Sequence, residues 1–291
     1  MENSYYVPLE PAEIAEVAPD SVTDSEWGAG DFEYLQPTEA TVSAWATDIQ
    51  HGGPPTGLLM RTVAGVAADS GMQFTRVTTD ILGPVGLAVN RVRGRVIRSG
   101  RQIAMVGAEL QVRRSDGRFQ TAARSMAWLM RAADTDEVRR SPSGPLRPPP
   151  DQLTTGIGVT ADSSLGVDWG TTGFIGSTET AVVPGRAGDT PAIWIRPAID
   201  LVAGEPISDL ESIMTVVDVA NGMGTTLSPA EWTWMNTDTT VHLAAVPRGP
   251  WLGIDAEMAT ASAGFGVTFA DLYDVDGFIG RSAQTLLLGR R

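Results

Sequence analysis

The chain repeats one order of elements, and that repeat limits the folds open to it more than any other feature. In the first half, His51-Gly52-Gly53-Pro54-Pro55 breaks the preceding strand. The residues that follow are small or apolar for more than two turns, which predicts a helix over Pro54–Ser70. Proline is tolerated there because the first N–H groups of a helix have no intrahelical partner. A helix apolar nearly all round belongs in an interior. Strands are expected next at Val77–Val85, Leu87–Arg98, Gln102–Arg114 and Phe119–Met130, turned by Ser99-Gly100 and Ser115-Asp116-Gly117. The second half runs the same way. Strands at Trp169–Val183 and Ala192–Arg196 precede a helix over Ile207–Thr225. Strands then follow at Thr237–Val246, Trp251–Ala261, Gly264–Tyr273 and Phe278–Leu288. An offset of 160 positions lays Asp116-Gly117 on Asp276-Gly277, Thr79 on Thr239 and Ala123 on Ala283. The expected architecture is α+β. Each half is an antiparallel sheet wrapped around its own central helix, and the two sheets join edge to edge into one. Such a junction also removes two exposed edges.

The same reading sets the boundaries. Residues 1–27 are acidic, broken by Pro8, Pro11 and Pro19, and read as a poorly packed lead-in. The first unit covers 28–133 and the second 156–291. Residues 134–155 carry five prolines between Pro142 and Pro150 and read as a Pro/Arg-rich linker.

What the chain lacks narrows its chemistry. It has no cysteine, which removes thiolate nucleophiles, disulfides and thiolate metal sites. All 21 basic residues are arginine, so there is no Schiff-base lysine and no phosphate-loop lysine. Only His51 and His242 are histidines, too few for a histidine-rich metal centre, and no metal or cofactor is expected. A net charge of −14 disfavours nucleic acid. No apolar run is long enough to span a bilayer and no signal peptide is visible, so a cytoplasmic protein without membrane insertion is the expectation. Catalysis by such a chain rests on carboxylates, amides, hydroxyls, imidazole and backbone N–H groups.

Several stretches together resemble the double hotdog acyl-CoA thioesterases of the bacterial thioesterase II type. His51-Gly52-Gly53-Pro54-Pro55 is similar to that family's strand-to-helix junction. Ile193-Trp194-Ile195-Arg196, Asp209-Leu210 and Val217-Asp218 resemble the approach to its second helix. Thr237-Asp238-Thr239-Thr240-Val241-His242 and Arg281-Ser282-Ala283-Gln284-Thr285 resemble its last strands. The resemblance covers nearly the whole chain from about residue 28. It implies an acyl-CoA substrate and allows a homo-oligomer, a dimer of double hotdogs. It also implies a water activated by an aspartate on the second helix, a threonine on the following strand and a glutamine on the last strand. Asp218 and Gln284 match two of these; Asn236 falls at the threonine's place, with Thr237 and Thr239 as nearby hydroxyls.

The residues support this reading independently. Asp218 lies in the apolar run Val216-Val217-Asp218-Val219-Ala220, so it must be hydrogen-bonded or neutral. Asn236 and Gln284 are the amides available to hold it, and the three are expected to converge on one water as the catalytic group. The backbone N–H groups at Gly52, Gly53 and Gly57, at a helix N-terminus, are candidates for polarising a thioester carbonyl. His51 is a candidate base or carbonyl donor. With Thr237 and Thr239 these complete the substrate-binding set. The plainer readings are a polar cluster that pins helix to sheet, and glycines that merely turn the chain. The arginine stripe Arg91, Arg93, Arg95, Arg98 and Arg101 reads as a solvated sheet face before it reads as a phosphate site. The expected reaction is hydrolysis of an acyl-CoA thioester to free acid and coenzyme A. The alternative is a noncatalytic protein that binds acyl-CoA or an acyl carrier on the same fold.

Overall fold

A computed structural model describes residues 3–18, 27, 31–159, 169–184 and 190–291. The first half contains β1 (Ser4–Pro8), α1 (Pro11–Val17), β2 (Glu33–Pro37), α2 (Gly53–Ala67), β3 (Met72–Ile81), β4 (Asn90–Arg98), β5 (Ile103–Arg113) and β6 (Phe119–Arg131). The second begins with β7 (Gly156–Ile157), α3 (Gly173–Gly176), β8 (Thr178–Val183), β9 (Ala192–Pro197) and β10 (Asp200–Val202). Its helical run is α4 (Asp209–Val216), a 3₁₀ turn (Val217–Val219) and α5 (Ala220–Met223). It closes with β11 (Trp232–Asn236), β12 (Asp238–Leu243), β13 (Leu252–Thr260), β14 (Phe265–Asp274) and β15 (Gly277–Arg290).

All the strands belong to one sheet in the order β10-β1-β2-β4-β5-β6-β3-β12-β15-β14-β13-β9-β8-β7, with β11 paired to β15. The halves meet where β3 pairs antiparallel with β12. Thr79 lies directly opposite Thr239 there. Those two residues are also matched by the 160-residue repeat, so the local twofold axis relating the halves passes between them. The tandem hotdog with a continuous sheet is therefore the observed architecture.

The helices pack on one face of this sheet. Leu58, Leu59, Met60 and Val63 of α2 are fully buried. Gly94 of β4 leaves room for α2: a Cβ there would stand 2.6 Å from Val66 Cγ2. The helices are not confined to their own halves, because α2 also lies against α4. Its glycines make that contact close. A Cβ on Gly53 would sit 2.3 Å from the Thr215 carbonyl oxygen, and one on Gly57 would sit 2.1 Å from Thr215 Oγ1. Small residues at such positions let two backbones approach within side-chain distance.

The lead-in is better packed than its composition implied. Tyr5 and Tyr6 of β1 are fully buried. β1 pairs antiparallel with β2 and parallel with β10, which ties the start of the chain to the second half. Most of the acidic and proline positions are not the ones that point inward, so the average composition hid two core tyrosines. Trp27 and Phe32 lie on the sheet face opposite the helices and stack on the first three arginines of the stripe. The Arg91 guanidinium is 4.0 Å from the Phe32 ring centroid and that of Arg95 is 4.3 Å from Trp27. Arg91 and Arg93 are buried, with Arg93 paired to Glu109 at 2.6 Å. The stripe is thus divided: Arg91 and Arg93 are covered, with Arg93 paired to a carboxylate, whereas Arg95, Arg98 and Arg101 are exposed as expected. Stacking lets a guanidinium be buried while its edge still donates hydrogen bonds. The linker is also anchored: Leu146 joins the outer cluster around Trp194, whose indole N–H donates to the Pro148 carbonyl at 3.0 Å.

Candidate active site

Asp218 sits in the 3₁₀ turn between α4 and α5 and is 2% exposed. The turn is held against the N-terminus of α2 from the other half, where Gly52 is in place of any larger residue. A Cβ on Gly52 would stand 2.7 Å from Asp218 Oδ2. The sheet supplies the rest. Asn236 ends β11, Thr239 is the second residue of β12 and Gln284 lies on the neighbouring β15.

The carboxylate is met by donors on both oxygens. Asn236 Nδ2 donates to Oδ1 at 2.7 Å, Thr239 Oγ1 at 3.3 Å and Gln284 Nε2 at 3.4 Å. The same Gln284 amide donates to the Asp218 main-chain carbonyl at 3.1 Å and to Thr239 Oγ1 at 3.0 Å. Gln284 Oε1 is buried with no partner among the described residues, so one acceptor in the cluster stays open. Oδ2 faces His51 Nδ1 at 3.2 Å. The imidazole stacks on Phe174 with ring centroids 4.4 Å apart.

His51 Nδ1 also lies 3.2 Å from the Gly53 backbone nitrogen, and one tautomer cannot serve both contacts. Protonated, Nδ1 donates to Asp218; bare, it accepts from Gly53. A hydrogen bond to a buried carboxylate is roughly twice as strong as one between neutral groups, which favours the proton on Nδ1. Burial pushes the His51 pKa below its ordinary value, and the nearby Asp218 carboxylate only partly opposes that shift. The imidazole is therefore neutral at neutral pH, with one ring nitrogen able to take a proton.

His51 also lines a small apolar cavity of about 30 Å³. Its wall includes Trp45, Trp169 and Trp234, mutually edge to face, with Ile193 and Met223 among the aliphatic groups. Trp234 is fully buried and serves as cavity wall as well as core.

The structure brings together Asp218, Asn236, Gln284, Thr239 and His51. Thr239 was expected among the substrate-binding residues; it is the hydroxyl on the following strand that meets both Asp218 and Gln284. Thr237 is exposed, and its Oγ1 reaches only Asp238 Oδ1 and the Thr285 carbonyl, so it stands outside the cluster. Gly57 serves the contact with α4, and the Gly53 N–H points at His51. His242 lies opposite Arg76 on the far side of the β3–β12 junction, away from the cluster. Phe174 and the tryptophan wall were not singled out in the sequence. Only the short spacing of Trp232, Trp234 and Asn236 on one strand hinted that wall and site share a sheet face. In the first half, Thr79 meets Ser125 at 2.7 Å where the second half has Thr239 beside Gln284. The repeat duplicated the fold and left the carboxylate cluster in one copy.

Models of the acyl-CoA thioesterase N-terminal and C-terminal domains match residues 41–130 and 146–288. No curated protein matches the chain significantly. Solved structures with the same fold include a putative thioesterase II from Thermobifida fusca, 18% identical, covering 94% of this chain and 97% of that one at a TM-score of 0.63. An acyl-CoA thioesterase II from Mycobacterium marinum is 13% identical, covering 96% and 98% at a TM-score of 0.60. A hot dog protein of unknown function from Alicyclobacillus acidocaldarius is 14% identical, covering 95% and 98% at 0.62. No helix among the described residues is long and apolar enough to cross a membrane. With both domain models matched in tandem over most of its length, the chain belongs to the acyl-CoA thioesterase family.

Proposed function

We propose that this protein hydrolyses an acyl-CoA thioester to the free acid and coenzyme A, with Asp218 and His51 acting as a pair. The observation that carries the reading is a buried carboxylate held by three donors on one oxygen, with its other oxygen against a neutral imidazole that lines an apolar cavity. Oδ1 is saturated, so Asp218 acts through Oδ2. It fixes the His51 ring and stabilises the imidazolium formed when the ring is protonated.

The steps balance without any further reactant. A water oxygen bonds to the thioester carbon while His51 takes the water proton. The tetrahedral intermediate then expels sulfur, the carbon–sulfur bond breaks, and the thiolate receives the proton from His51. Asn236, Thr239 and Gln284 hold the carboxylate in its orientation. The acyl chain enters at the cavity beside His51.

Release of free thiol from a panel of acyl-CoA esters of increasing chain length tests this reading. Turnover with at least one ester that is lost in His51→Ala supports it. Tight binding of the esters without thiol release would replace it with the noncatalytic acyl-thioester binding protein.

A further inference from the structure

Phe174 reaches His51 from the other half of the chain. It is fully buried on α3, and its ring lies against the imidazole with centroids 4.4 Å apart and planes 28° from parallel. The phenyl ring is held from several sides. Gly173 has a φ of +58°, a left-handed conformation that glycine adopts readily, and a Cβ there would stand 2.5 Å from the Val42 carbonyl oxygen. The Phe174 N–H donates to that same carbonyl at 3.0 Å. Ser177 Oγ donates to the Phe174 carbonyl at 2.7 Å. The Tyr5 ring packs against Phe174 at 5.8 Å, and the Tyr5 hydroxyl donates to the Ser177 carbonyl at 3.2 Å. Gly53 leaves room for the ring edge: a Cβ there would stand 2.7 Å from Phe174 Cζ.

The contact with Asp218 does not by itself fix the imidazole. A hydrogen bond from one ring nitrogen sets one edge, and the ring can still tilt about the line joining Nδ1 to Oδ2, 3.2 Å apart. Tilting swings Nε2, the nitrogen that takes the water proton. A second ring on one face blocks the tilt, because aromatic pairs prefer a narrow set of offset-stacked and edge-to-face arrangements. Asp218 is the charged group that faces His51, while Gly53, Phe174 and the cavity residues carry no charge. The plane of the imidazole therefore depends on packing against Phe174. A misplacement of about 1 Å in a reacting group can cost about 10²-fold in rate.

We infer that Phe174 is a positioning residue for hydrolysis: it sets the plane of the His51 ring, so the base of one half is aimed by a side chain of the other. This rests on the thioesterase reading, and the test separates the two. Wild type, Phe174→Leu and Phe174→Met are compared in thiol release from the ester that wild type hydrolyses best, and in their imidazole proton-NMR signals. The chain has two histidines, so a His242→Gln variant assigns the signals. In wild type the His51 signals should lie upfield of those of exposed His242, shifted by the ring stacked on its face. Both Phe174 variants should lose much of that shift. Their kcat should fall about 10-fold or more while KM stays within about threefold, because Phe174 is not part of the cavity wall. Leu129→Ala, which deletes a fully buried side chain on β6, should lower the melting temperature with kcat unchanged, and so separates aim from stability. A kcat within threefold of wild type in a folded Phe174 variant, or a loss confined to KM, overturns the assignment while leaving hydrolysis intact. If wild type hydrolyses no ester, the thioesterase reading fails, and the NMR signals decide whether Phe174 holds the ring: unchanged His51 signals in the variants overturn it. Wild-type His51 signals without an upfield shift overturn it even if neither variant folds.

Discussion

Replacing Asp218 by asparagine tests the site most sharply, because it changes charge and proton position with little change in shape. The new side-chain oxygen can keep the place of Oδ1, where Asn236 donates at 2.7 Å, Thr239 at 3.3 Å and Gln284 at 3.4 Å. The new amide nitrogen then takes the place of Oδ2, 3.2 Å from His51 Nδ1. A nitrogen that donates there forces Nδ1 to accept and moves the imidazole proton to Nε2. The ring nitrogen that accepted the water proton is then blocked. A wrong histidine tautomer behind an aspartate-to-asparagine change costs a serine protease about 10⁴ in kcat, which sets the upper end. Loss of a positioned base generally costs about 10²–10⁴. At 1.36 kcal/mol per decade this corresponds to about 3–5 kcal/mol of transition-state stabilisation. Thiol release under saturating substrate measures it, and thermal melting by circular dichroism checks the fold. The melting temperature should barely move, since every donor to Oδ1 keeps its acceptor. Asp218→Ala should instead melt well below wild type, because the half-buried Asn236 and the buried Gln284 amides lose a shared acceptor, at about 1–3 kcal/mol for a buried group. If Asp218→Asn turns over within threefold of wild type with the fold intact, Asp218 is a structural residue and the mechanism is wrong.

The remaining predictions concern pH and packing. Burial holds the His51 pKa below 6.5, so kcat/KM should be level above that pH and fall as pH drops through the lowered value, where the base becomes protonated. Because the Asp218 charge raises that pKa, whatever activity Asp218→Asn retains should show its acid limb at still lower pH; a limb at or above 6.5 in wild type would contradict the assignment of His51. Gly57→Ala places a Cβ 2.1 Å from Thr215 Oγ1, and overpacking of about 1–3 kcal/mol should lower the melting temperature by several degrees. Adding Thr215→Ala should recover part of that loss, whereas simple additivity would place the strain elsewhere. Tyr6→Phe removes the donor that meets Gln50 Oε1 at 2.7 Å and should cost about 1–3 kcal/mol in denaturant unfolding. A neutral result there would show that β1 is not held by this contact.

Local chemistry made much of the molecule legible in advance. The period-two alternation of β4 and β5, the glycine turns and the small-residue helix are short-range signals, and the 160-residue repeat carried them to the whole fold. Asp218 was conspicuous as a charge in an apolar run, and Gln284 as an amide just before one, because burial makes such residues demand partners. Which partners they find is a matter of register between distant strands. Only the pairing of Thr240 with Ala283 sets Thr239 beside Gln284 and leaves Thr237 outside. Only the crossing of α2 on α4 brings His51 to Asp218 from the other half of the chain. The cavity, its tryptophan wall and the two buried tyrosines of β1 came from contacts between residues far apart in sequence. Sequence alone determined the elements and the candidate groups, since helix and strand periodicity and burial cost are properties of neighbouring residues. Tertiary structure alone decided which groups meet, because a one-residue slip in strand register, or a single Cβ at Gly52, would separate them.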